Sequence, residues 1–150
     1  ELDEPTASLD VSIQAQIIDL LSDLRSRMGL TYLFISHDLG LVRYFCDRIG
    51  VMYLGAVVEV LPDTIAAPRH PYTRALMRAI PRLGGSREPL QSIRGMVPHP
   101  FRRPAGCNFH TRCAEVIAGR CETVDPELRS FADGTQVRCL HYDDAPGAAS

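Results

Sequence analysis

Two adjacent carboxylates, Asp3 and Glu4, stand ahead of Pro5-Thr6, and an imidazole, His37, follows the apolar run Tyr32-Leu-Phe-Ile35. Neighbouring acids after a short strand can divide the labour of phosphoryl transfer, the first holding Mg²⁺ and the second polarising an attacking water. The same pair before a proline also suits a solvated turn, and residue type alone leaves both readings open. An imidazole at the carboxyl end of a strand can reach a terminal phosphate; a hydrogen-bonded structural histidine is the alternative. Their occurrence on one segment, with a capped helix and a strand between them, favours the phosphoryl-transfer reading.

A second group lies near the other end. Cys107, Cys113, Cys121 and Cys139 follow the spacing C-x5-C-x7-C-x17-C, while Cys46 stands apart in a helical stretch and reads as a small buried hydrophobe. In a reducing compartment four clustered thiols point to metal or redox use rather than to a disulfide framework. Four thiolates suit zinc or a 4Fe-4S cluster, and structural thiols, reduced or disulfide-bonded, are the third possibility. His110 and His141 lie beside ligand cysteines and read as neighbours of a site that four thiolates already complete.

The elements that must position these groups follow from periodicity. Ile13, Ile17, Leu20, Leu21, Leu24 and Met28 recur at steps of three and four, which predicts an amphipathic helix from Val11 to Met28, started by Asp10 or Ser12 and stopped by Gly29. Residues 31–35 form an unalternating apolar run that reads as a strand buried on both faces, with Ser36-His37-Asp38 at the carboxyl end, where open α/β sheets bind ligands. A second helix is expected over 39–46, then two strands over 48–53 and 56–61 joined at Leu54-Gly55. A third helix begins at Pro71, where proline is favourable, and carries Tyr72, Ala75, Leu76, Met77 and Ile80. This order indicates an α/β layer fold.

Composition bounds the rest. The 150 residues carry 16 basic and 18 acidic side chains and are 45% hydrophobic, enough for one core with a small appendage. Every basic residue is arginine, which excludes a Schiff base and the phosphate-binding lysine of a GxxxxGK[ST] loop within this sequence. Charge alternates by segment: residues 1–60 hold 4 Arg against 9 acids, 61–112 hold 9 against 2, and 113–150 hold 3 against 7. The basic middle is no nucleic-acid platform, because its arginines are scattered among prolines with few aromatics to stack bases. A solvated linker with some docking contacts is the expectation there. No apolar run approaches bilayer length and the first thirty residues lack a leader pattern, so the expectation is a soluble cytoplasmic protein with a frayed end over 143–150.

The segments DEPTASLDVSIQAQIIDLL, YLFISHDLGLVRYFCDRIGVMYLGAVVEV and RHPYTRALMRAIP closely resemble the carboxyl-terminal half of the ATP-binding subunit of oligopeptide and dipeptide ABC importers. The resemblance runs from Asp3 to about Tyr142, and HPYTRAL with the Cys-rich end is specific to this subfamily. It implies a partial P-loop NTPase sheet with flanking helices, plus a small Cys-rich, loop-rich C-terminal domain. Residues 1–61 would belong to the nucleotide-binding domain, 62–142 to the transporter extension, and 143–150 to a disordered tail.

Carried over residue by residue, the resemblance makes Asp3 the Walker B carboxylate that holds Mg²⁺ and Glu4 the group that orients the hydrolytic water. Asp10 becomes the D-loop acid facing a second nucleotide-binding domain, and His37 the switch histidine at the γ-phosphate. Many members read SALD where this chain has Ala7-Ser8-Leu9-Asp10, a swap that keeps the small residues and the acid. The resemblance also makes the four cysteines ligands of a 4Fe-4S cluster, as in some members, with zinc as the alternative; a structural clamp that offsets the entropy of ordering a loop-rich segment is favoured over a redox or assembly sensor, since no electron partner is identified in the sequence. Implied partners are ATP, a second ATPase domain, two transmembrane permease subunits and, indirectly, a solute-binding protein, at the cytoplasmic face of the inner membrane. The Walker A loop, Q-loop and LSGGQ-type signature are not in this sequence, so the expectation is part of a subunit about twice as long, inactive alone. A non-catalytic iron-sulfur or zinc docking module is the competing reading.

Overall fold

The computed structural model describes residues 1–7, 9–63, 66–79 and 93–143. In chain order the elements are β1 (Leu2–Asp3), α1 (Val11–Met28), β2 (Phe34–Ile35), α2 (Leu39–Phe45), β3 (Ile49–Tyr53), β4 (Ala56–Leu61), α3 (Pro71–Arg78), β5 (Arg129–Ser130) and β6 (Gln136–Val137). They fall into two compact units, Glu1–Asp47 and Arg48–Ser150. No helix among the described residues is long and apolar enough to cross a membrane.

In the first unit the expected helix forms with the expected bounds. The Asp10 carboxylate accepts the Ile13 N–H at 2.9 Å, satisfying one orphan donor of the first turn. Gly29 turns left-handed at φ 63° and its N–H closes on the Arg25 carbonyl. Of the α1 residues only Ile18 is fully buried. Arg25 folds back over the Phe45 ring, 5.4 Å from its centroid, and donates to the Phe45 carbonyl. Phe45 in turn packs against Tyr32 and Phe34, so one aromatic ring ties α2 to the segment before it.

β1 and β2 pair in parallel, Leu2 opposite Phe34 and Asp3 opposite Ile35. The expected doubly buried strand over 31–35 is corrected: among the described residues β2 has two residues and one paired neighbour, and Leu33 and Ile35 are exposed. A strand is covered on both faces only where layers flank it, and here a single partner strand supports it. The second helix ends at Phe45, and Cys46 serves as its half-buried cap rather than as a core residue.

The second unit is an antiparallel sheet of order β3-β4-β6-β5. β3 alternates, with Ile49, Val51 and Tyr53 inward and Gly50 and Met52 outward. The turn to β4 places both Leu54 (φ 47°) and Gly55 (φ 73°) in the left-handed region, the geometry that matches strand twist in a two-residue hairpin. The hairpin, grouped by sequence with the first segment, has β6 as its next sheet neighbour. Val58, Leu61, Val137, Leu140 and Phe109 fill the core, and Phe109 meets Tyr53 and Tyr72 at ring distances of 5.2 and 5.3 Å. α3 starts at Pro71 as expected; Ile80 lies outside the described residues.

Asp143, read as the first residue of a frayed end, is instead ion-paired with Arg120 at 2.9 Å and Arg129 at 3.3 Å. Residues 144–150 of that expected tail lie outside the described residues.

Candidate functional site

The parallel pairing of β1 and β2 brings together two groups far apart in sequence. Leu2 N–H donates to the Leu33 carbonyl at 2.8 Å and Glu4 N–H to the Ile35 carbonyl at 2.9 Å, so the two strands end side by side. Parallel strands share one carboxyl edge, and whatever follows each strand emerges there. Here Asp3 and Glu4 emerge from β1 and Ser36-His37-Asp38 from β2.

His37 Nδ1 lies 3.0 Å from Glu4 Oε1. The hydrogen bond and the charge of Glu4 push the imidazole above its ordinary value of 6.5, and Asp38 adds to the effect. Both side chains are solvent-facing, so the pair is open to a ligand. Glu4 holds a left-handed backbone at φ 43°, unusual for a residue with a side chain and of the kind that clusters at functional sites. Its carbonyl accepts Ala7 N–H at 3.2 Å, and Gln14 on α1 donates to the Thr6 carbonyl at 3.0 Å, which fastens the acidic loop to the helix.

The supports of His37 were not singled out from sequence. The Ser36 hydroxyl accepts Asp38 N–H at 3.1 Å, and the Asp38 carboxylate accepts Leu41 N–H at 3.1 Å as the cap of α2. The signal was present, since Ser and Asp before an apolar helix are capping residues. A side chain at Gly40 would start 3.2 Å from the Asp38 carboxylate, so glycine keeps that cap unobstructed. Asp10 is not gathered into the Glu4–His37 pair; its carboxylate is spent on capping α1. Asp3 sits exposed at the end of β1.

The four cysteines form a second neighbourhood. All are free thiols. Burial pushes Cys139 up to about 12, and the nearby sulfurs of Cys107, Cys113 and Cys121 add to this while the His141 N–H opposes it. Backbone N–H groups also face the other sulfurs: Glu115 on Cys113 at 3.4 Å, Ile117 on Cys121 at 3.3 Å, and Phe109 and His110 on Cys107. Cys107 N–H donates to the Cys121 carbonyl at 2.9 Å, an approach that needs Gly106, because a Cβ there would collide with the Cys121 carbonyl oxygen. His110 Nδ1 and His141 Nε2 engage the carbonyls of Cys107 and Glu115. Among the described residues no group of three or more His, Cys, Asp or Glu is placed to hold a metal ion, so the geometry gives the iron-sulfur and zinc readings no support.

Residues 60–121 match the family model described as the oligopeptide/dipeptide transporter, C-terminal region. A putative peptide import ATP-binding protein of Brucella ovis is 50% identical over 141 residues, covering 92% of this chain and 44% of that protein. The dipeptide transport ATP-binding protein DppD of Escherichia coli K12 is 47% identical over 148 residues, covering 95% of this chain and 44% of its own length. The oligopeptide transport ATP-binding protein AppD of Bacillus subtilis is 42% identical over 144 residues, again 44% of its length. The resemblance read from the sequence is thus borne out, and the chain spans less than half the length of these relatives.

Proposed function

We propose that this chain, whose residues 60–121 match the model of the oligopeptide/dipeptide transporter C-terminal region, supplies the catalytic carboxylate and switch histidine of an ATP-binding subunit that energises peptide import. The observation that carries the reading is the 3.0 Å contact of His37 with Glu4 at the shared carboxyl edge of β1 and β2. It is supported by relatives whose names describe peptide, dipeptide and oligopeptide transport ATP-binding proteins. Residues 1–61 are assigned to a nucleotide-binding domain with a P-loop NTPase sheet and 62–142 to the transporter extension.

In this reading Asp3 would hold Mg²⁺, which neutralises phosphate charge when bound. Glu4 orients the attacking water by accepting its hydrogen bond. With Nδ1 engaged by Glu4, the His37 ring has Nε2 left to face a terminal phosphate. A protonated ring donates from both nitrogens, to Glu4 on one side and to a phosphate oxygen on the other, and the carboxylate favours that form. A local contact at His37 is thereby able to report the γ-phosphate to the rest of the assembly. Asp10 would face a second ATPase domain, and two permease subunits at the cytoplasmic face of the inner membrane would receive the motion, with a solute-binding protein delivering peptide. The sequence contains no lysine and no GxxxxGK[ST] loop, so turnover belongs to the full-length subunit and not to these residues alone. In that subunit His37→Ala is expected to lower ATP turnover at least about a hundredfold, measured as phosphate release; a rate near wild type would count against the assignment.

For the cysteines we infer a 4Fe-4S cluster held by Cys107, Cys113, Cys121 and Cys139 rather than zinc. The inference rests on the resemblance of the segment from Cys107 to Cys113, with Cys121 and Cys139, to the carboxyl-terminal extension of the importer ATP-binding subunits. Such a cluster would supply a cross-link within a loop-rich segment, and no step of ATP turnover runs through it. Anaerobically purified full-length protein should contain about four iron and four sulfide per chain. Stoichiometric zinc, or no metal, would overturn this.

A further inference from the structure

Residues 94–103, ahead of Cys107, present apolar side chains to solvent. Phe101 is 92% exposed and Met96 91%, with Val97 also outward. This is not a frayed strand end: Arg102 N–H donates to the His99 carbonyl at 2.8 Å, and His99 Nδ1 accepts Phe101 N–H at 3.3 Å, closing a turn that holds the phenyl ring outward. Upstream, Arg112 reaches across to the carbonyls of Arg94 and Ile93 at 3.1 and 3.2 Å and braces the approach. A braced loop that holds a phenyl ring and a thioether in water needs a partner for them.

Charge narrows the partner. From residue 93 to residue 114 the sequence has four arginines and no acid. Arg94, Arg102 and Arg103 flank the apolar residues, all three are exposed, and none is in an ion pair among the described residues. Apolar side chains ringed by cations fit a surface that is anionic outside and hydrocarbon beneath, where rings insert at the acyl boundary and guanidinium groups stay with the headgroups. We propose that residues 94–103 form a lipid-contacting loop that engages an anionic membrane surface directly through Met96, Val97 and Phe101, with Arg94, Arg102 and Arg103 on the headgroups. This goes beyond the importer reading, in which the membrane is reached through permease subunits, and its test does not involve ATP.

The test is co-sedimentation of the full-length subunit with vesicles of phosphatidylcholine alone and of phosphatidylcholine with 30% phosphatidylglycerol, both prepared without permease. The expected result is binding to the anionic vesicles only, weakened by 0.5 M NaCl. Met96→Ser with Phe101→Ser, and separately Arg94→Gln with Arg102→Gln, should each reduce that binding about tenfold while circular dichroism is unchanged, since all four residues are exposed. No binding to anionic vesicles, or binding that both double variants retain, overturns the proposal. So does self-association without lipid that the Met96/Phe101 variant abolishes, which would assign the patch to a second copy of the chain.

Discussion

Glu4 and His37 are separated by 33 residues and joined by one hydrogen bond. The carboxylate is what lifts the imidazole, first through the bond and then through its charge, so removing that charge should be visible on the ring itself. In Glu4→Gln the His37 titration, followed by the ring proton resonances, should fall toward 6.5; an unchanged midpoint would mean that the contact is not held in solution. The sign carries into function. A phosphate contact that uses the protonated ring is strongest below the raised value and fades as pH climbs through it. Both residues were legible as candidates because their types suit phosphoryl transfer, but their contact was not. It depends on which strands pair in parallel, a long-range fact that spacing does not encode. Asp10 shows the converse, a residue whose local cap role was read correctly while its assignment opposite a second domain remains a proposal.

At the scale of elements, the start of α3 is held by several buried and part-buried hydrogen bonds. Glu59 on β4 is fully buried, and one of its oxygens accepts the backbone N–H groups of Arg69 and His70. These two N–H groups at the start of the helix offset part of the cost of burying a carboxylate, whose other oxygen is buried without a hydrogen-bond partner among the described residues. His70 Nδ1 accepts Tyr72 N–H at 3.1 Å, so the ring must keep a lone pair there, and burial lowers it from 6.5 to about 4. The unfolded chain therefore takes up a proton between those values while the folded one does not, and stability rises with pH across that window. The loss from pH 7 to pH 4 attributable to this ring is about 3 kcal/mol, and denaturant titrations of His70→Asn, which keeps a capping side chain, should lack that component. An equally steep pH dependence in the variant would remove His70 from the account. Periodicity and capping residues disclosed α1, α2, the hairpin and α3, whose signals are local. β5 and β6, each two residues long, left no pattern to read, and nothing in the run Val57-Val-Glu-Val60 announces that its acid turns inward to hold a helix. The doubly buried β2 was misread because an apolar run states what a strand could bury and not what covers it.

Over the whole chain, the two groups of candidate residues fall in different compact units. The first holds the acid pair and the imidazole on a single parallel strand pair, and the second holds the family-matched region from residue 60 to residue 121 and the four thiols. Arg138 knits the second unit together, its guanidinium donating to the carbonyls of Val57 at 3.1 Å and Pro126 at 3.0 Å while its N–H pairs with Val58. The resemblance was readable because segments such as HPYTRAL are contiguous in sequence. The Glu4–His37 pair occupies one carboxyl edge, and under the proposed reading the rest of an ATP site would come from residues outside this sequence. The most direct test of the central claim is ATP binding and hydrolysis by that subunit carrying Glu4→Gln, with its association state followed by sedimentation. ATP binding at wild-type affinity, hydrolysis reduced at least about a hundredfold and an ATP-dependent dimer that persists would match a water-orienting carboxylate. Hydrolysis at the wild-type rate would contradict it.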